Sequence, residues 1–179
     1  MDIRQIVLWR VSIFVWICLE PDSPAPAASA RIARVNTYDI STDPGRLQLD
    51  AIHAYLSRSY WSPGVPKAIV ARAVANSMCF GIYLDGAQVG FARVVTDKAT
   101  FAYLADVYVL EAHRGQGLSK RLVEQIQAHP ELQGLRRFML ATLDAHGLYA
   151  QFGFRPLAAP DRMMEIHDPD AYGAGRSGA

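Results

Sequence analysis

The amino-acid sequence predicts an α/β domain with a mixed, mostly antiparallel central sheet flanked by helices. Three observations carry the prediction. Asp85-Gly86 separates two apolar runs, residues 78–84 and 88–95, which is the pattern of a two-residue hairpin. A third apolar run, residues 100–109, follows after the short connection Thr96-Asp97-Lys98, so the three runs make a meander. Beyond them helical and strand-like periods alternate. A meander joined to strand–helix–strand units gives a sheet with both antiparallel and parallel pairs.

The elements follow in order. Residues 34–40 read as a first strand, closed by the turn residues Thr42-Asp43-Pro44-Gly45. Residues 47–56 form an amphipathic helix and residues 68–75 a second. The loop between them, 57–66, carries Tyr60-Trp61-Ser62-Pro63-Gly64. The meander comes next. Its third run is apolar on both alternating faces apart from Asp106 and the Tyr108 hydroxyl, which predicts a central, buried strand. From Gly117 to His129, Leu118, Leu122 and Ile126 recur every four residues against Lys120, Arg121, Glu124 and Gln127. That is a helix with one buried stripe, ended by Pro130. Residues 138–142 read as a short strand. Asp144 is placed to cap a helix over 145–152, with Gly153 just past its end. Residues 154–157 and 163–166 are the last strand candidates.

Length and composition fix the scale. A chain of 179 residues, 51% apolar and 20% charged, supports one domain with a full core. Its formal net charge is +1, so no strong field favours nucleic acid as a partner. Cys18 and Cys79 match no metal or redox spacing, and no metal is expected. Residues 6–19 are almost wholly apolar, but the run is shorter than the roughly 20 residues of a membrane span. Residues 21–30 are rich in Pro, Ala and Ser and end Ala28-Ser29-Ala30, like a signal cleavage site. Against export, Asp2 offsets Arg4 and Arg10 interrupts the apolar run. Residues 1–33 are therefore read as an extension outside the fold, with translation starting near Val35. The domain spans 34–168 and a Gly-rich flexible tail spans 169–179. The expected location is the cytoplasm, with no membrane partner.

The chemistry centres on Arg114-Gly115-Gln116-Gly117-Leu118-Ser119, which follows a buried strand and opens a helix. Two glycines let the backbone come close to a ligand, and the free N–H groups and positive end of the helix favour an anion. A pyrophosphate fits that description. The residues do not make a Walker A loop, since no Gly-Lys-Ser/Thr occurs at the required spacing. They do not make a dinucleotide fingerprint either, whose third glycine would fall on Lys120.

The stretch from Asp106 to Ser119 resembles the acetyl-CoA motif of the GNAT superfamily of N-acetyltransferases, Q/R-x-x-G-x-G/A after a strand of alternating valines. Arg114 and Gly117 match, and Ser119 stands where glycine or alanine is usual. Leu143-Asp144-Ala145-His146-Gly147-Leu148-Tyr149-Ala150-Gln151-Phe152-Gly153-Phe154 resembles the family's second signature, a short helix with a tyrosine followed by Gly-Phe. Together the resemblance covers residues 34–166.

The resemblance implies an N-acetyltransferase with acetyl-CoA as co-substrate and direct attack of a primary amine on the thioester. It assigns the donor to Val107, Tyr108, Val109, Arg114, Gly115, Gln116, Gly117, Leu118, Ser119 and Lys120, with a backbone N–H at Tyr108 or Val109 on the thioester oxygen. It makes Tyr149 the acid that protonates the leaving thiolate. Asp106 is the candidate base, directly or through water; a structural pair with a lysine or arginine is the open alternative. Tyr60 and Trp61 are candidates for the acceptor wall, or staples that hold their loop to the core. His113 reads as a solvated loop residue, and Asp97 and Asp144 as turn and cap residues. The acceptor is a small-molecule or peptide amine. Two other readings stand beside this one. One is a silent CoA-binding regulatory module, against which Tyr149 argues. The other is an exported binding domain, should residues 1–30 be a true signal.

Overall fold

The computed structural model describes residues 37–172. The N-terminal extension, the predicted start of the first strand and residues 173–179 of the tail lie outside the described residues. The elements are β1 (Asp39–Ser41), α1 (Leu49–Leu56), α2 (Lys67–Ala75), β2 (Met78–Leu84), β3 (Ala87–Thr96), β4 (Phe101–Val109), α3 (Leu118–Ala128), β5 (Arg137–Leu140) and α4 (His146–Ala150).

Among the described residues the strands form one sheet in the order β1-β2-β3-β4-β5. β1 to β4 pair antiparallel, and β4 pairs parallel with β5. The sheet is therefore mixed and mostly antiparallel, as the sequence pattern predicts. Asp85 and Gly86 both take positive φ, 49° and 83°, which is what a type I′ hairpin turn requires. β4 is an interior strand, but β3 holds the middle of the sheet.

Each face of the sheet carries its own core. On one, Phe80, Ile82, Val94 and Leu104 pack against Leu118, Leu122, Val123 and Ile126 of α3 and against Tyr149 of α4. On the other, Phe91, Cys79 and Tyr108 pack against Ile52 and Leu56 of α1 and Val70 of α2. The Cys79 thiol is buried there, and burial pushes it up to about 11.

Three local expectations are corrected. The residue at the N-cap of α4 is Ala145 with no side-chain cap, and Thr142 Oγ1 accepts from the Ala145 N–H at 3.0 Å, so Asp144 does not cap the helix. Residues 154–157 are not a strand. Phe154 instead packs edge-on to Phe138 and Tyr149, at 5.4 and 5.8 Å between centroids. Residues 163–166 are not a strand either, and Met164 and Ile166 lie fully exposed. Pro156 lies inside the first of these segments and Pro160 shortly before the second, and each removes a ladder donor. Met163, Met164 and Ile166 gain nothing from an extended conformation without a sheet face to pack on. No described helix is long and apolar enough to cross a membrane.

Candidate active site

The loop predicted to hold the donor is built by two left-handed glycines, Gly115 at φ 77° and Gly117 at φ 73°. Side chains rarely adopt that conformation, and a Cβ at either position would project into open space. Gly117 is the N-cap of α3 and offers no side chain to its first turn. The first N–H groups of α3 are thus left for a ligand. A cavity of about 270 Å³ opens over them, lined by Val109, His113, Arg114, Gly115, Gly117, Leu118, Ser119, Lys120 and, from α4, Leu148. The Arg114 side chain is tied to protein partners. Its Nε donates to the Val109 carbonyl at 3.0 Å and a terminal nitrogen donates to the Tyr55 hydroxyl at 3.2 Å, which braces the loop between β4 and α1. Gln116 likewise donates to the Tyr38 hydroxyl at 3.0 Å.

Beside the loop β4 bulges. Phe91 faces Tyr108 and Arg93 faces Ala105, so Asp106 and Val107 together oppose the single Ala92. Asp106 takes φ 56° there, a strained conformation that Asp and Asn tolerate better than other side chains. A bulge next to a ligand cavity re-aims backbone and side chain toward the site. Tyr108 itself points away from it. Its ring stacks on Tyr55 at 3.8 Å between centroids, and burial pushes its phenol well above the usual range.

The Asp106 carboxylate is held on both oxygens. Arg93 Nε donates to Oδ2 at 2.5 Å and Trp61 Nε1 donates to Oδ1 at 3.2 Å. The ion pair is largely sequestered, with side-chain exposures of 20% and 13%. The fold therefore joins two sequence candidates, Trp61 and Asp106, that stand 45 residues apart. Tyr60 packs edge-on to Trp61 at 4.9 Å, and its hydroxyl accepts from the Leu143 N–H at 3.3 Å, tying the α1–α2 loop to the segment before α4. Tyr149 is buried. Its phenol is pushed up to about 12, first by burial and then by the neighbouring Tyr60 and Asp144. It stays protonated at neutral pH.

Sequence reasoning did not single out Arg93, Tyr55 or Tyr38. Arg93 had a signal, being the one charged residue in the run 88–95. Tyr55 and Tyr38 had none, because their partners Arg114, Gln116 and His113 are distant in sequence. Asp97 is a turn residue, as expected. It accepts from the N–H groups of Ala99, Thr100 and Phe101 and from the Thr100 hydroxyl. Among the described residues no group of three or more His, Cys, Asp or Glu gathers that could hold a metal.

A five-stranded sheet with a bulged fourth strand, a glycine-paired anion loop and a parallel β4–β5 edge has the architecture of acyl-CoA N-acyltransferases. Comparison with known proteins agrees. The model of the acetyltransferase (GNAT) family matches residues 35–154, and the chain belongs to that family. A solved GNAT-family acetyltransferase candidate from Xanthomonas campestris pv. campestris is 52% identical, with a TM-score of 0.75, over 76% of this chain and 97% of that one. A candidate acetyltransferase of Gibberella zeae is 36% identical over 137 residues, 64% of this chain and 76% of its own length. An aminoglycoside N(6′)-acetyltransferase of Serratia marcescens is 34% identical over 83 residues, 40% of this chain and 57% of its own length.

Proposed function

We propose that the chain is a cytoplasmic N-acetyltransferase that moves an acetyl group from acetyl-CoA to a small primary amine. The observation that supports this reading is a bulge in β4 whose Asp106 accepts from Trp61 and Arg93, on the strand whose last residue, Val109, lines the glycine-loop cavity. The amine nitrogen attacks the thioester carbon, the C–S bond breaks, and the thiolate takes a proton from Tyr149. Backbone N–H groups at the bulge and the end of β4, residues 107–109, meet the oxygen as it gains charge. One such preorganised donor supplies about 3 kcal/mol.

Asp106, fixed by Arg93, presents its carboxylate to the attacking amine and orients it, and the amine's proton leaves to Asp106 or to water. Tyr60 and Trp61 form an aromatic wall on which a cationic or apolar acceptor can rest. The name of the Serratia relative makes an aminoglycoside amine one candidate acceptor among small amines.

The test is the melting temperature of the full chain with acetyl-CoA, CoA or ATP, followed by amine-dependent thiol release. A ligand at about 100 times its dissociation constant adds about 2.7 kcal/mol. Stabilisation by acetyl-CoA and CoA but not ATP, with thiol release that needs a primary amine, is the expected result. A well-folded sample that none of them stabilises refutes the reading. Donor binding without turnover on any amine favours the silent CoA-binding module instead.

A further inference from the structure

We propose that His113 is a donor-binding residue whose Nε2 hydrogen-bonds a phosphate oxygen of the donor, with the imidazole aimed by Tyr38 and Gln116. The inference rests on the acyl-CoA reading above and adds a residue to it. His113 lines the same cavity as Gly115, Gly117, Ser119 and Lys120. Its Nδ1 lies 3.0 Å from the Tyr38 hydroxyl, and the two rings meet edge to face at 5.8 Å. Tyr38 is buried and fixed in turn, since Arg121 donates to its carbonyl at 3.0 Å.

The hydroxyl also accepts from Gln116 Nε2 at 3.0 Å. In the tautomer in which the hydroxyl donates its own proton to Nδ1, the ring proton sits on Nε2. Nε2 is on the far side of the ring from Tyr38 and makes no hydrogen bond to another described residue. Nε2 is therefore the ring nitrogen left for a ligand, on a residue that lines the cavity. A merely solvated loop histidine would not need a buried phenol to orient it.

The charges around it favour an anion. On its own segment are Arg114 and Glu111, 3.6 Å apart. α3 contributes Lys120 to the lining and Arg121 behind Tyr38, while α4 contributes only the apolar Leu148. Protonation of His113 adds a second interaction, because an imidazolium is both donor and charge. An imidazolium holds a phosphate more tightly than a neutral ring does, so binding strengthens at lower pH.

The experiment measures calorimetric dissociation constants of 3′-dephospho-CoA for the full chain at about pH 6 and about pH 8. That probe lacks the phosphomonoester, which itself titrates near 6. The wild type should bind several-fold more tightly at the lower pH. His113→Ala should lose about 10-fold there and lose the pH dependence. His113→Gln keeps a neutral donor, so it should hold most of its affinity at the higher pH yet respond little to pH. Tyr38→Phe should weaken binding in the same sense and add little on top of His113→Ala. Wild-type affinity at low pH in both His113 variants overturns the proposal, as does a pH dependence that survives them. Failure of the wild type to bind the probe or CoA overturns the donor reading as well, which separates the two cases.

Discussion

Replacing Asp106 with Ala removes the carboxylate that joins β4, β3 and the α1–α2 loop, and the structure sets the size of the effect. Arg93 would be left four-fifths buried, with Ser77 Oγ at 3.3 Å as its remaining acceptor. Breaking a fully buried pair by removing one partner costs about 3–5 kcal/mol, and an exposed pair is worth about 0–1. This pair lies between those limits, nearer the buried one. Ala also tolerates φ 56° less well than Asp. Together these give a loss of about 2–3 kcal/mol. For a domain of this size that lowers the melting temperature by about 6–12 °C.

Asp106→Asn keeps a short polar side chain suited to the bulge and still accepts from Trp61, so it should lose about 1 kcal/mol. A double-mutant cycle with Arg93→Met should show a coupling of about 1–2 kcal/mol. The assay is urea unfolding followed by circular dichroism, alongside acetyl-CoA binding. Donor affinity should hold within about two-fold, because Asp106 does not line the donor cavity. A loss below about 0.5 kcal/mol for Asp106→Ala, or an additive cycle, would refute the claim that this ion pair anchors the site.

Three further outcomes are expected. Tyr149→Phe should lower kcat about 100-fold with donor affinity unchanged, since it removes only a proton donor. Because the Tyr149 phenol is pushed up to about 12, its loss of a proton should not limit the wild-type rate between about pH 8 and about pH 10; an alkaline limb there that Tyr149→Phe abolishes would contradict the assignment. In the Cys18→Ser chain, Cys79, its thiol raised to about 11 by burial, should resist a thiol reagent at about pH 8 when folded and react promptly in urea; rapid native labelling would show the β2–α2 packing to be open. Gly90→Ala should destabilise by about 1–3 kcal/mol, because its Cβ would stand 2.7 Å from Ile82 Cδ1 and 3.0 Å from the Tyr108 carbonyl. A neutral change in thermal unfolding would mean that β3 and β4 can part more easily than their packing implies.

The sequence by itself determined what depends on near neighbours. The hairpin at Asp85-Gly86, the meander, the buried stripe of α3 and the paired glycines at its start all rest on turn chemistry and periodicity within about a dozen residues. The likeness of two short motifs to a known family then supplied the class of protein and the candidate acid Tyr149, while Asp106 stood out as a carboxylate in an otherwise apolar strand. The strand candidates after α4 failed for the converse reason. Three of the four residues 163–166 are apolar, but a strand needs a partner edge and a face to pack on, and neither is encoded locally.

Only the tertiary structure decided what Asp106 touches. Its partners Arg93 and Trp61 lie 13 and 45 residues away, and the bulge that turns it toward them arises from the register of β3 against β4. The orientation of His113 by Tyr38, 75 residues distant, is of the same kind. Contacts of that span follow from how whole elements pack, because burial drives elements together without specifying which polar side chains will meet across the junction.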